Sequence, residues 1–292
     1  MTPLQLRCAL AVADALHFTR AAHEVGIAQS ALSAHVARLE DELGAALFER
    51  TSRSVRLTAA GEALLPRARA VLAELDRLRT DVAAVTGAVE GPLRIGTIPT
   101  LVDVDLAGLL ALLRERHPGV RATVVEQTSG RTLAAVADGT LDVGFTGTAL
   151  SEPLPGVQVQ VIATEPLAAV VAEDDPWAAR RRLRLRDLAG RAGVDFPAGT
   201  SGRRQSDEAF AAAGLAREVA VESSSAAFLL ALVRAGVGVA LLPASAARAA
   251  GGVRAVAVVD APVRRVCAVH AGAASSAAAR AFLDLLGRRL PA

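Results

Sequence analysis

A chain of 292 residues, 52% of them apolar, is long enough for two or three domains with a sizeable core. Its basic side chains are all arginine, and without lysine a Walker-type phosphate loop and a pyridoxal Schiff base are both excluded. A net charge of +2 makes no bulk case for nucleic acid, no apolar run reaches the ~18 residues of a membrane helix, and no export leader opens the chain, so a cytoplasmic protein with no membrane partner is expected.

The first dense pattern runs from Phe18 to Gly61. Ala22, Val25, Ile27, Leu32, Val36 and Leu39 predict two short helices joined by a tight turn at Gly26, where a left-handed backbone favours glycine. On the second helix Leu32, Val36, Leu39 and Leu43 fall on one face. The opposite face carries the short side chains of Ser30, Ser33, Ala34 and Ala37, with Arg38 at its edge. Such a helix can enter a major groove, with Gln29, Ser30 and Ser33 near base edges and its positive end near phosphate. Two short strands over 48–50 and 55–57 follow. Arg50, Arg53 and Arg56 punctuate this hairpin, where arginine suits phosphate or a narrow minor groove. The partner implied is double-stranded DNA.

Thr58 can cap a long helix. From there Leu64, Ala68, Val71, Leu75, Leu78, Val82 and Val85 recur at spacings of four and three. That stripe predicts a helix paired with a copy of itself, with Pro66 near its first turns. The alternative is one amphipathic helix packed on its own domain. Glu90-Gly91-Pro92 marks a hinge.

Beyond the hinge, strands are predicted over 93–97, 120–125, 141–145, 157–162, 167–172, 192–196, 219–222 and 237–242. Helices are predicted over 102–116, 131–138, 203–213 and 225–235. The alternation implies parallel sheet with helices on its faces, in two α/β subdomains. Three loops follow strands and precede helices: Ile98-Pro99-Thr100, Gln127-Thr128-Ser129-Gly130 and Pro197-Ala198-Gly199-Thr200-Ser201. Their hydroxyls and amides suit a small carboxylate, although each hydroxyl could equally be a helix cap. Arg203 and Arg204 could supply positive charge. The run Arg180, Arg181, Arg182, Arg184 and Arg186 reads as exposed surface. Cys8 and Cys267 read as buried thiols, and the five histidines show no ligand spacing, so neither a metal nor a cofactor is expected. No nucleophile, base and orienter occur at recognisable spacing, which argues against an enzyme.

The segments Phe18-Thr19-Arg20-Ala21-Ala22, Val25 to Ser33, Leu39 to Gly44, Leu47 to Thr51 and Leu57 to Gly61 together resemble the N-terminal domain of the LysR-type transcriptional regulators. The likeness continues through Arg94-Ile95-Gly96, His117-Pro118-Gly119-Val120, Gly139-Thr140-Leu141-Asp142 and Ala235 to Pro243. It implies an α/β fold class: an N-terminal winged helix-turn-helix, a long linker helix, and a two-lobed effector domain like periplasmic binding proteins. The expected domains are 1–58, 59–87 and 88–292, with one lobe over about 93–163 and 268–292 and the other over about 164–267. Thr100 and Ser129 match effector-holding positions, with Thr128, Phe196, Thr200 and Ser201 as further candidates and Phe145 and Thr146 behind them. The resemblance implies a small organic acid as effector, a homodimer or homotetramer, and RNA polymerase as a candidate partner. Ser30 stands where proline is usual in the family, and Ala34 and His35 where larger polar or basic residues are common. A plain solute-binding protein, using its N-terminal segment only to oligomerise, is the rival reading; the wing arginines speak against it.

Overall fold

Thr2 opens the first helix, α1 (Pro3–Ala15): its hydroxyl accepts from the Gln5 amide, and the Gln5 side chain accepts in return from the Thr2 amide. The computed structural model describes residues 1–50, 54–85, 89–147, 155–272 and 275–289. The chain divides into two units, Met1–Gly91 with Asp138–Thr140, and Pro92–Ala137 with Leu141–Ala292.

In the first unit α1 packs with α2 (Phe18–Val25) and α3 (Gln29–Leu43). The turn between α2 and α3 passes through Gly26 at φ +75°, as the sequence predicts. Leu32, Val36 and Leu39 are fully buried against Val12, Ala21 and Ala22. Leu43, expected on the same face, is exposed, because it closes the last turn before Gly44 ends the helix. Strands β1 (Phe48–Arg50) and β2 (Val55–Leu57) pair antiparallel, with Glu49 opposite Arg56. The tip between them, including Arg53, lies outside the described residues.

Thr58 caps α4 (Ala59–Val85), accepting from the Gly61 amide at 3.0 Å. Gly61 is obligatory there, since a Cβ would lie 2.3 Å from the Leu47 carbonyl oxygen. Pro66 is the eighth residue of α4, beyond the first turn, and the helix continues through it. The apolar stripe divides along its length. Leu64 and Ala68 pack on the helix-turn-helix core, as does Leu72 beside the stripe, whereas Val71, Leu78 and Val82 are exposed. The packed-on-its-own-domain alternative therefore describes the first turns of α4, because those turns lie against α1. The side chain of Val85 lies outside the described residues.

In the second unit the elements are β3 (Gly91–Thr97), α5 (Leu106–Arg116), β4 (Val120–Glu126), α6 (Ser129–Ala137), β5 (Val143–Thr146) and β6 (Gln158–Ala172). After a single 3-10 turn follow β7 (Arg182–Leu183), α7 (Leu185–Ala189), β8 (Gly193–Asp195), α8 (Ser201–Ala212), β9 (Val219–Glu222) and α9 (Ala226–Arg234). The chain ends with β10 (Ala240–Pro243), α10 (Ala244–Ala250), β11 (Val253–Val258), β12 (Val263–His270) and α11 (Ala277–Arg289). Helix α5 begins at Leu106 rather than residue 102, because Asp105 caps it by accepting from the Gly108 amide at 2.9 Å.

The sheet is mixed rather than purely parallel. β3 and β5 run parallel, but β12 is antiparallel to β5 and β6, and β10 and β11 are antiparallel to β6. The two strands predicted over 157–162 and 167–172 are one strand, β6. It runs straight through Pro166, whose ring forbids only a donated bond, and β12 pairs with it along the same stretch. One apolar core gathers Leu93, Ile95, Leu109, Val143, Phe145 and Phe282. Two others cover β6 beyond Pro166: Leu167, Val171, Leu183 and Phe210 in one, Val170, Phe196, Leu229 and Val233 in the other. β6 and β12 thus run from the first core to the others, and the loops at that crossing frame the cleft described next. Among the described residues no helix is long and apolar enough to cross a membrane.

Candidate functional site

The exposed face of α3 starts at Gln29 and Ser30, with Ser33 half-buried one turn on and Arg38 exposed further along. The N-cap Ala28 offers no side-chain acceptor, so the first-turn amides remain for water or phosphate. Gln29 Nε2 makes a long bond of 3.4 Å to Ser33 Oγ, which joins the two polar groups into one patch. Arg56 is exposed on β2. Arg50 is exposed on β1 and also contacts the helices. Its guanidinium sits 4.2 Å over the Phe18 ring, and Nη2 lies 3.2 Å from Glu40 Oε2. It braces the wing against the helices, because β1 leaves α3 beside Glu40. Glu40 also accepts from the amides of Leu47 and Phe48 at 2.8 and 3.2 Å. No period in the sequence marks this role of Glu40.

In the second unit all six expected effector residues line one cavity of about 220 Å³: Thr100, Thr128, Ser129, Phe196, Thr200 and Ser201. They arrive from the loops after β3, β4 and β8, at the carboxyl ends of strands. Three of the hydroxyls also serve the backbone. Thr128 and Thr200 cap α6 and α8, accepting from Arg131 and Arg203 amides at 3.4 Å each. Ser129 Oγ accepts from the Gly147 amide at 3.1 Å, and its own proton stays free to donate. Ile98, Leu167, Leu241, Leu242 and Pro243 give the cavity an apolar side. Phe145 and Thr146 do not line it. Both are buried on β5, Phe145 edge-on to Phe282.

The cation of the cavity is Arg264, on β12, 3% exposed and in the wall. Nη2 donates to the Thr100 carbonyl at 3.0 Å and stands 3.8 Å from Asp103 Oδ2. Burial holds its pKa below the usual guanidinium range, against the opposing pull of Asp103 and Glu165. Arg203, the expected source of charge, is committed elsewhere: it holds Asp207 at 2.9 Å, Glu222 at 2.5 Å and the Phe196 carbonyl at 3.2 Å. Arg204 is exposed beside Glu208. The arginine run from Arg180 to Arg186 is exposed.

Residues 4–62 match the family model for bacterial regulatory helix-turn-helix proteins of the lysR family, and residues 86–291 match the LysR substrate binding domain. The chain belongs to the LysR family of transcriptional regulators. It is 36% identical over 235 residues to the HTH-type transcriptional regulator ShiR of Corynebacterium glutamicum, covering 80% of this chain and 79% of that one. It is 34% identical over 237 residues to the DNA-binding transcriptional dual regulator OxyR of Escherichia coli, covering 81% and 77%. A full-length OxyR variant from Pseudomonas aeruginosa superposes with a TM-score of 0.76 at 27% identity, covering 99% of this chain and 95% of that one. CbnR in complex with its target DNA superposes with a TM-score of 0.68 at 26% identity, covering 99% of each.

The α3 face and the cavity are the two candidate sites of this LysR regulator. The two thiols belong to neither. Cys8 is buried in the helix-turn-helix core and Cys267 is buried on β12, and burial raises the pKa of both. Among the described residues no group of three or more His, Cys, Asp or Glu side chains could hold a metal.

Proposed function

We propose that this regulator binds operator DNA as a homodimer or homotetramer, with Gln29, Ser30, Ser33 and Arg38 at the major groove or its flanking phosphates. Arg50, Arg53 and Arg56 hold the backbone or minor groove. A small organic acid in the cleft changes how the DNA-binding domains are placed on the operator. The observation that carries the effector reading is the convergence of six residues, chosen as strand-end loop groups, on one cavity with an apolar side and a polar side.

Relatives named as hydrogen peroxide-inducible genes activators suggest a second effector. Peroxide modifies proteins chiefly at an accessible thiolate. Here both thiols are buried with raised pKa, and neither lines the cavity, which favours a reversibly bound acid. A ligand shifts such a regulator only if it binds one arrangement more tightly than the other. Footprints on the regulator's own promoter region, with and without a panel of small organic acids, check this. An extended or shifted footprint with at least one acid is expected; identical footprints and identical transcription throughout remove the reading.

A further inference from the structure

We propose that Arg264 is the anion receptor of the cleft, and that it selects a ligand with one carboxylate on an apolar body. This rests on the effector-site reading above and names the chemical class of the effector and the residue that sets it.

Arg264 is almost wholly buried, yet its Nε and Nη1 have no hydrogen-bond partner among the described residues. Asp103 Oδ2, at 3.8 Å, is beyond hydrogen-bond reach. A buried guanidinium left with open N–H groups is costly unless something accepts from them. Gln127 Nε2, in the same wall, is a second buried donor without a partner among the described residues, and the Ser129 hydroxyl can donate. Arginine cannot accept, so what fits beside it is an acceptor bearing negative charge, and a planar carboxylate matches the guanidinium fork.

The rest of the wall limits the remainder of the ligand. Phe196, Leu167, Leu241, Leu242 and Ile98 ask for apolar surface. Among the described residues Glu126 is the one acid that lines the cavity, and it is exposed. Among the described lining residues there is no second cation to answer a second carboxylate on the ligand. The site therefore suits a monoacid rather than a diacid.

Titration calorimetry on the full chain tests this with benzoate, benzamide and phthalate, which share a ring and differ in charge. Benzoate is expected to bind saturably. Benzamide, phthalate, and benzoate to Arg264→Lys are each expected to be weaker by about 10- to 100-fold, the range of a charge-assisted hydrogen-bond pair. Arg265→Lys, at the exposed neighbouring arginine, is expected to match wild type. Three results overturn the proposal: no saturable benzoate binding, equal binding of benzoate and benzamide, or unchanged benzoate binding by Arg264→Lys. Should that variant not fold, the wild-type comparison of acid with amide decides alone. Equal binding of acid and amide removes the receptor but keeps the cleft as a ligand site. Benzoate held through Arg264 with an unaltered footprint keeps the receptor and removes the regulatory reading.

Discussion

Two arginines near the cleft carry the same charge and have opposite fates. Arg203 is spent on Asp207 and Glu222, whereas Arg264 keeps donors open. The hydroxyls were legible in the sequence because strand-loop-helix order alone places them at a cleft. Arg264 was not, because its burial depends on the inward parity it shares with Val266 on β12, a strand the sequence reading did not place. A third arginine supports the fold. Arg217 Nη2 lies 2.7 Å from Asp195 Oδ2, and Asp195 is 2% exposed. Burial raises the Asp195 pKa, and Arg217 works against that rise without cancelling it. A carboxyl whose folded pKa is raised contributes stability below its unfolded value and loses it as pH rises through the folded value. Removing Arg217 pushes the folded value higher still. Arg217→Met should therefore cost about 3 kcal/mol at neutral pH, as for a buried charge stripped of its partner. The cost should shrink at lower pH, as Asp195 takes up its proton, and adding Asp195→Asn should recover most of it. Urea unfolding of the full chain at both pH values checks this. A loss equal at both would place the effect outside Asp195.

Elements are joined here by single side chains that periodicity does not reveal. The helix-turn-helix was readable because its apolar spacing and Gly26 leave few alternatives. Its coupling to the wing was not, because Glu40 reaches forward seven and eight residues to backbone amides, and no sequence period marks such a reach. Likewise β6 read as two strands because Thr164-Glu165-Pro166 looks like a break, while its continuity is set by a partner strand about 100 residues away in sequence, a separation at which pairing is fixed by tertiary contacts. Glu40→Ala should leave the amides of buried Leu47 and Phe48 without an acceptor and release Arg50 from its brace. The expected loss is about 2 kcal/mol of stability, with weaker promoter binding because the wing loosens. Glu40→Gln keeps one accepting oxygen and should lose about half as much. Denaturant unfolding and fluorescence anisotropy on promoter duplex, read on the same two variants, check both parts. If alanine and glutamine behave as wild type, Glu40 does not organise the wing.

At the scale of the whole molecule, the question is what covers the exposed part of α4. The long helix was legible from its stripe, but its division was not, since the same spacing serves an intramolecular face near α1 and an open face beyond it. Val71, Leu78 and Val82 recur at heptad spacing and are 45%, 61% and 64% exposed, an apolar seam on a helix that a single chain leaves bare. A second copy of α4 is the partner that matches such a seam along its length, and it would bring two α3 helices to two half-sites. Leu78→Glu with Val82→Glu places like charges opposite one another across that pairing while leaving the Leu64, Ala68 and Leu72 contacts untouched. By sedimentation the wild type should be dimeric or larger and the double variant monomeric, with helical content unchanged by circular dichroism. Promoter affinity should fall about 100-fold, because each chain then holds one half-site without the local concentration that a tethered partner supplies. A variant that sediments as wild type would move the oligomer contact away from α4, and one that dissociates while keeping full affinity would mean that paired half-sites are not how this regulator grips DNA.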